Sequence, residues 1–389
     1  MTTQLNEENK MAHSVKIGII GAGMAGQAHA FGYRNAMMAL GLGLTVELDT
    51  IADPNLALAQ SVAARYGFKN ATADVDALIA SDVDVISVAL PNFLHAEVLP
   101  KVLASGKHVF AEKPIGRTPA EAASLQKLAE RTSAITGVGF SFRRLPGLAA
   151  LAVAVATGRI GEVHSLRAWY YADYAADPSG ALSWRYSQEQ SGGGALLDIG
   201  AHAIDAVHFV AGAISEVSNA SLATVIAERP LPGSGELGPV TNDDVALLTV
   251  KLESGAIGQI ALSRIAAGMP NSLGVEIYGT RGSASFDSIV AGEFNLFETD
   301  ITDAAFNGPR RIFTGPAHPY FSDVAAMPGA GVGTGYAEAF VAELQEFLRS
   351  VATLTPMDTD FEQASQMMNV VGAAFESNRT GKAVAVAKA

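Results

Sequence analysis

Val15-Lys16-Ile17-Gly18-Ile19-Ile20-Gly21-Ala22-Gly23-Met24-Ala25-Gly26 is the stretch from which the fold is read. Its first six residues form a short, mostly apolar run, the pattern of a strand buried in a parallel sheet. The run passes straight into G-x-G-x-x-G, and a helical stretch follows from about Gln27 to Ala39. Strand, glycine turn and helix in that order are the setting in which this fingerprint holds a dinucleotide. Gly21 allows the tight turn, Gly23 lets backbone approach a pyrophosphate, and Gly26 lets the helix pack on the strand. The helix N-terminus adds free amides and a positive dipole end. Gly21, Gly23, Met24 and Ala25 are therefore candidate cofactor-binding residues. The bland alternative is a glycine-rich turn without a ligand.

Downstream, the same alternation repeats. A strand at Val46–Ala52 ends in Asp53, which either accepts the adenosine ribose hydroxyls, favouring NAD over NADP, or caps the helix starting near Pro54. Asp53 lies further from Gly26 than is usual, so the first crossover is lengthened by residues 37–44. Helices are expected at 56–66, 95–105 and 119–131, and strands at 83–89, 108–111 and 134–140. The whole is a doubly wound parallel sheet over 15–140. Ligands bind such sheets beyond the carboxyl ends of the strands. Two of those ends carry polar residues. Pro91, Asn92 and His95 are cofactor-edge or helix-start groups, with an exposed helical His95 as the default. Glu112-Lys113-Pro114 places an ammonium over the crevice or leaves it a solvated surface lysine. Pro114 disfavours a helix at Lys113.

From 141 the pattern changes to a helix through Ala156, then longer alternating strands at 164–171, 214–225, 245–252, 256–263, 274–278 and 283–287. This predicts an α+β domain over 141–389 with an open, mainly antiparallel sheet whose free face suits an oligomer interface. Helices at 337–351 and 360–378, the latter capped by Asp358 or Thr359, close the chain. Residues 1–14 are polar and form an N-terminal extension. Within the second domain, Gly192 to Asp205 reads GGGALLDIGAHAID. Three glycines lead flexibly into a helix on which Asp198, His202 and Asp205 share one face. A carboxylate one turn from an imidazole orients it and favours its charged form, suiting acid–base chemistry; a plain polar helix face is the alternative. A metal at Asp198 and His202 lacks a third ligand. Tyr174, Trp184, Arg185 and Tyr186 precede this stretch. Such groups suit a polyhydroxylated ring, although loop packing explains any one of them equally well.

The 389-residue chain is 49% hydrophobic, with net charge −13 and no cysteine. The acidic balance without a basic run argues against nucleic acid and anionic membrane surfaces. The missing thiols exclude disulfides and cysteine nucleophiles and fit a reducing cytoplasm. No run approaches a membrane span.

Gly21–Gly26, Glu112-Lys113-Pro114 and Gly193–His202 together resemble the Gfo/Idh/MocA family of sugar and inositol oxidoreductases. The resemblance implies a Rossmann domain followed by an α/β domain whose sheet mediates dimers, commonly paired into tetramers. It implies NAD as cofactor and Lys113, Asp198 and His202 as the catalytic set, with His202 the acid–base. Glu112, Lys113, Trp184 and Arg185 join the cofactor side of the site. The long first crossover, Trp184-Arg185 and Ser263-Arg264 resemble the levoglucosan dehydrogenase branch, and Asp243-Asp244 carries less weight. That branch implies oxidation of a secondary hydroxyl of a sugar, glycoside or anhydrosugar, at C3 of a pyranose. Inositol 2-dehydrogenation, an NAD-retaining glycoside hydrolase or lyase, and a non-catalytic NAD sensor are the alternatives.

Overall fold

A computed structural model describes residues 13–38, 42–299 and 305–388. The expected N-terminal extension lies outside these except for its last two residues, as does the middle of the 37–44 insert. Among the described residues of the first half, strands and α-helices alternate, with one 3₁₀ turn (Ala36–Met38) after the first helix. Its elements are β1 (His13–Ile20), α1 (Met24–Asn35), β2 (Leu44–Ala52), α2 (Leu56–Tyr66), β3 (Asn70–Thr72), α3 (Val75–Ala80), β4 (Val85–Val88), α4 (Asn92–Ala104), β5 (His108–Glu112), α5 (Pro119–Ala129) and β6 (Thr136–Gly139). The six strands are parallel, in the order β3-β2-β1-β4-β5-β6. The order reverses between β1 and β4, which opens a crevice at their carboxyl ends. Helix α1 starts three residues before the expected Gln27, because Gly23 is its N-cap.

The second half begins with α6 (Pro146–Ala156) and β7 (Val163–Ala172), then α7 (Gln188–Ser191), α8 (Ala195–Asp198) and α9 (Gly200–Ala211). It continues through β8 (Ile214–Ala223), β9 (Glu228–Pro230), β10 (Leu237–Pro239), β11 (Val245–Leu252), β12 (Ile257–Ser263), β13 (Asn271–Gly279), β14 (Gly282–Asp287), β15 (Glu293–Glu298) and β16 (Arg310–Phe313). Helices α10 (Tyr336–Thr353) and α11 (Phe361–Thr380) and a short β17 (Val384–Ala385) complete it. Among the described residues, nine strands form one sheet in the order β16-β15-β14-β13-β7-β12-β11-β8-β17. Every pairing is antiparallel except β7 with β12. The sheet is wider than the sequence pattern suggests. β15 (EFNLFE) breaks its alternation at Leu296-Phe297, β16 (RRIF) groups its charged and apolar residues in pairs, and β17 is two residues long, so none presents a sustained period-two signal.

Strand β11 alternates buried and open residues along its length, as expected for one covered face. Helix α9 packs under the covered face. The opposite face carries a row formed by Lys251, Ile257, Ser165 and Tyr278, which are direct cross-strand partners. Ile257 and Tyr278 on it are exposed.

Helix α10 returns to the first sheet. Leu344, Phe347, Leu348 and Val351 share one core with Val15, Ile17, Ile51 and Phe110. Gly32 permits this contact, since a Cβ there would lie 2.6 Å from Leu344 and 3.0 Å from the Phe340 carbonyl oxygen. Each buried large side chain contributes about 1.5–3 kcal/mol, so the helix is firmly held to the nucleotide domain. Asp360, one residue beyond the expected cap, caps α11 by accepting from the Glu362 and Gln363 amides. Asp358 instead pairs with the buried Arg144, while the Thr359 hydroxyl is buried without a hydrogen-bond partner.

Candidate active site

The glycine turn is tight on two sides and open on the third. Gly21 has φ +102°, and a Cβ on it would lie 2.3 Å from the Ala89 carbonyl oxygen. A Cβ on Gly26 would lie 1.9 Å from the Gly21 oxygen, so only glycine lets helix and strand meet here. Gly23 has nothing within 4 Å of such an atom. The first turn of α1 has no side-chain cap and no acidic residue. Its amides therefore face open space with their dipole unopposed, which fits a pyrophosphate. Asp53 stands beside the turn, its carboxylate accepting from Ala22 N–H (2.9 Å) and Asn55 N–H (2.8 Å). The cap of α2 is Asn55 and not Asp53.

A cavity of about 840 Å³ runs from this turn to the second domain. Met24, Ala25, Glu112, Lys113, Arg185, Asp198 and His202 line it, which brings residues of both domains together. The meeting depends on a break in the helix. Where one continuous helix was expected, α8 ends at Asp198 and α9 begins at Gly200, and the segment Gln188–Asp198 meets Gly200–Ala211 at 45°. His202 N–H then bonds the Ile199 carbonyl (3.2 Å) in place of that of Asp198. The freed Asp198 carbonyl accepts from Lys113 Nζ at 2.8 Å, and the Asp198 carboxylate lies 3.7 Å from the same nitrogen. Lys113 is thus held over the crevice, 13% exposed, and is not a solvated surface lysine. The Lys113–Pro114 peptide is cis.

The expected orientation of His202 by Asp198 is corrected by this geometry. The Asp198 carboxylate accepts a 2.6 Å bond from Tyr174 Oη. Burial pushes its pKa up, but Lys113, Tyr174 and the nearby Arg185 and Arg264 outweigh this and hold it below the usual range. His202 is buried, with the rings of Phe142, Tyr170 and Phe140 at 5.0, 6.0 and 6.4 Å and its Nδ1 unpartnered. Burial, and then the Lys113 charge, push its pKa well below 6.5. The imidazole is neutral, the form that takes a proton. Asp205 points away and forms a buried ion pair with Arg143 at 2.6 Å.

The three glycines are not a flexible lead-in. Gly192 has φ +83°, and a Cβ on it would lie 2.3 Å from the Arg117 carbonyl oxygen. One on Gly194 would lie 1.8 Å from the Asp243 oxygen. Buried Asp243 takes the start of α8: its carboxylate accepts from Gly194 N–H (2.9 Å) and Leu196 N–H (2.7 Å), and its carbonyl from Ala195 N–H (2.8 Å). Asp244 pairs with Arg264 at 2.9 Å, and Arg264 donates to Asn242 (2.8 Å) and to the Arg185 carbonyl (3.2 Å). Asn242-Asp243-Asp244 and Arg264 therefore form the frame of the site. Sequence reading gave Asp243-Asp244 little weight. The signal was their place just before a strand, on elements whose nearness to Gly194 only the fold reveals.

Several expected cofactor residues also make contacts within the protein. His95 is fully buried, not exposed, and its Nδ1 bonds the Pro114 carbonyl at 2.8 Å, bracing the turn that carries Lys113. Burial holds its pKa below the ordinary value. Asn92 is buried and donates to the Ser191 carbonyl (2.7 Å), tying α4 to α7, and Pro91 is the N-cap of α4. Trp184 stands behind the lining, edge-on to Phe93 at 6.2 Å, with the exposed Arg185 guanidinium 4.5 Å from its ring centre. Tyr170, Asn271 and Tyr336 also line the cavity, unmarked by any sequence motif. Tyr170 Oη donates to Asn271 at 2.7 Å.

An uncapped helix end at the switch point, facing a lysine, a carboxylate and a neutral imidazole across one cavity, defines a dinucleotide-dependent oxidoreductase. Comparison with known proteins agrees. Residues 15–140 match the oxidoreductase family with an NAD-binding Rossmann fold, and residues 148–285 match the GFO/IDH/MocA C-terminal domain. Levoglucosan dehydrogenase of Pseudarthrobacter phenanthrenivorans is 34% identical over 379 residues, covering 94% of this chain and 96% of that protein. D-glucoside 3-dehydrogenase of Escherichia coli is 31% identical over 253 residues, 62% of this chain and 68% of that protein. A solved levoglucosan dehydrogenase in complex with NADH and levoglucosan superposes with a TM-score of 0.92 at 33% identity, covering 97% of this chain and all of that one. The chain belongs to the Gfo/Idh/MocA oxidoreductase family, and its cofactor is NAD.

Proposed function

We propose that the protein oxidises a secondary hydroxyl of a cyclic sugar or polyol to the ketone, on a levoglucosan-like anhydrosugar or a pyranoside, at C3. The observation that carries this reading is the convergence of Lys113, Asp198 and His202 on the cavity that Met24 and Ala25, in the first turn of α1, also line. The substrate class and the carbon are supported by the likeness to a levoglucosan dehydrogenase and a D-glucoside 3-dehydrogenase.

NAD, when bound, supplies the hydride acceptor. The first-turn amides of α1 would hold its pyrophosphate and Asp53 its adenosine ribose, while Glu112 and Arg185 line the shared cavity further along. Neutral His202 takes the hydroxyl proton. The Lys113 ammonium is steered by the Asp198 carbonyl and stabilises negative charge developing on the same oxygen. Asp198, oriented by Tyr174, keeps that ammonium in place. Tyr174, Tyr336 and Arg185 present ring faces and donors suited to a polyhydroxylated ring. The exposed Ile257 and Tyr278 on the open sheet face support assembly into dimers or tetramers through that sheet, which light scattering after size exclusion tests.

The deciding experiment is NAD reduction with levoglucosan, glucosides, xylose and the inositols, with NADP in parallel, followed by product analysis. His202→Ala and Lys113→Ala lower kcat strongly and leave NADH binding largely intact, whereas Asp53→Ala weakens NAD and relaxes discrimination against NADP. Full turnover in both catalytic variants refutes the assigned roles.

A further inference from the structure

His29 is completely buried one turn into α1, three residues past Gly26, and the reaction as derived above does not use it. A buried imidazole between two polar side chains calls for a reason, because polar burial is costly unless each group is matched. Its Nδ1 lies 2.8 Å from Ser87 Oγ on β4. Its Nε2 lies 3.0 Å from Glu112 Oε1 at the end of β5, and there the imidazole donates, since a carboxylate only accepts. The other carboxylate oxygen, Oε2, accepts the backbone N–H of Lys113 at 3.2 Å. Phe110 meets the imidazole edge-on at 5.2 Å and limits its rotation. Gly139 on β6 makes room for the same carboxylate, since a Cβ there would lie 3.2 Å from Glu112 Oε1. The chain of contacts thus runs from the cofactor helix, under the switch point, to the lysine that faces the substrate.

We propose that His29 is a positioning residue: it fixes the Glu112 carboxylate and through it the Lys113 backbone, so that the helix holding the pyrophosphate and the strand end holding the lysine keep one geometry. The proposal rests on the dehydrogenase reading for its kinetic consequence, but the brace itself is a property of the apoprotein.

Both are tested together. In His29→Leu, which keeps bulk and removes both bonds, kcat on the best sugar of the panel falls about 10- to 100-fold, the effect of a displacement near 1 Å. KM and the NADH dissociation constant, read by fluorescence, change by less than about threefold. In His29→Gln the amide nitrogen still reaches Glu112, and most of kcat returns. Ser87→Ala, which removes the Nδ1 partner and leaves the Glu112 bond, loses an intermediate amount. Independently of activity, ¹⁵N-lysine NMR of the apoprotein reads amide hydrogen exchange at Lys113: faster in His29→Leu, near wild type in His29→Gln. Wild-type kcat and wild-type Lys113 exchange in His29→Leu overturn the proposal, as does a His29→Gln variant no better than His29→Leu. If His29→Leu does not fold, Ser87→Ala and His29→Gln decide by the same two measurements. If the wild-type protein oxidises none of the sugars, the dehydrogenase reading fails, while the Lys113 exchange comparison still decides the brace.

Discussion

Replacing Asp243 with alanine tests whether the frame behind the site sets the catalytic geometry. The side chain is 5% exposed and accepts two amides at the start of α8, from Gly194 and Leu196. Hydrogen bonds to a charged group are worth about 1.5–3 kcal/mol each, and an orphaned buried amide costs about 1–3 kcal/mol. Burial of the carboxylate, which raises its pKa, offsets part of that gain. A net loss of about 3 kcal/mol follows. For 389 residues at roughly 2.1 cal/mol/K each, the unfolding entropy is about 0.8 kcal/mol/K, so Tm falls by about 4 °C if the domains unfold together. The second consequence is local. Asp198 ends α8, and its carbonyl steers Lys113 at 2.8 Å. If α8 shifts by about 1 Å, kcat falls on the order of 100-fold. NADH binding, which the proposed function assigns to the Gly21–Gly26 turn, stays within about threefold. Calorimetry, steady-state kinetics and NADH fluorescence on one preparation measure all three. A Tm within 1 °C of wild type together with unchanged kcat refutes the reasoning.

Two further outcomes follow from buried charge. Glu343 on α10 is fully buried with neither carboxylate oxygen hydrogen-bonded, and burial raises its pKa well above 4.5. A carboxyl raised in the folded state favours the native protein when protonated, so stability drains away as pH climbs from the unfolded value towards the folded one. Glu343→Gln is therefore nearly neutral near pH 5 and stabilising at pH 8, with the gain growing by up to about 1.4 kcal/mol per pH unit across that window. Urea unfolding with equal differences at both pH values contradicts it. Lys113→Met removes the charge that helps to depress His202, so the His202 titration followed by NMR moves up but stays below 6.5, because burial is the larger cause. An unmoved titration shows that the ammonium does not act on the imidazole.

The parallel sheet and its cofactor turn were legible in the sequence because their signals are local. Val15–Gly26 encodes strand, turn and helix within twelve residues, and Gly21 and Gly26 are glycines for steric reasons that act over a few ångströms. The antiparallel strands β11 and β12 were equally plain, since a half-covered sheet alternates its residues. Lys113, Asp198 and His202 were chosen by motif, yet the pairing of Asp198 with His202 that their spacing suggested is replaced by Asp198 with Tyr174 and Lys113. Spacing on a straight helix puts Asp198 beside His202, but Gly200 packs against Leu262, where a Cβ would lie 2.6 Å from Cδ1, and the helix breaks one residue earlier. Only the folded chain turns the Asp198 carbonyl towards Lys113, 85 residues away. The buried partners escaped for the same reason. His29 meets Glu112 across 83 residues, and Gly194 meets Asp243 across 49. Local pattern records which face of an element is apolar; which polar groups are matched inside, and so which stay charged or neutral, is decided by contacts that exist only once both domains have packed.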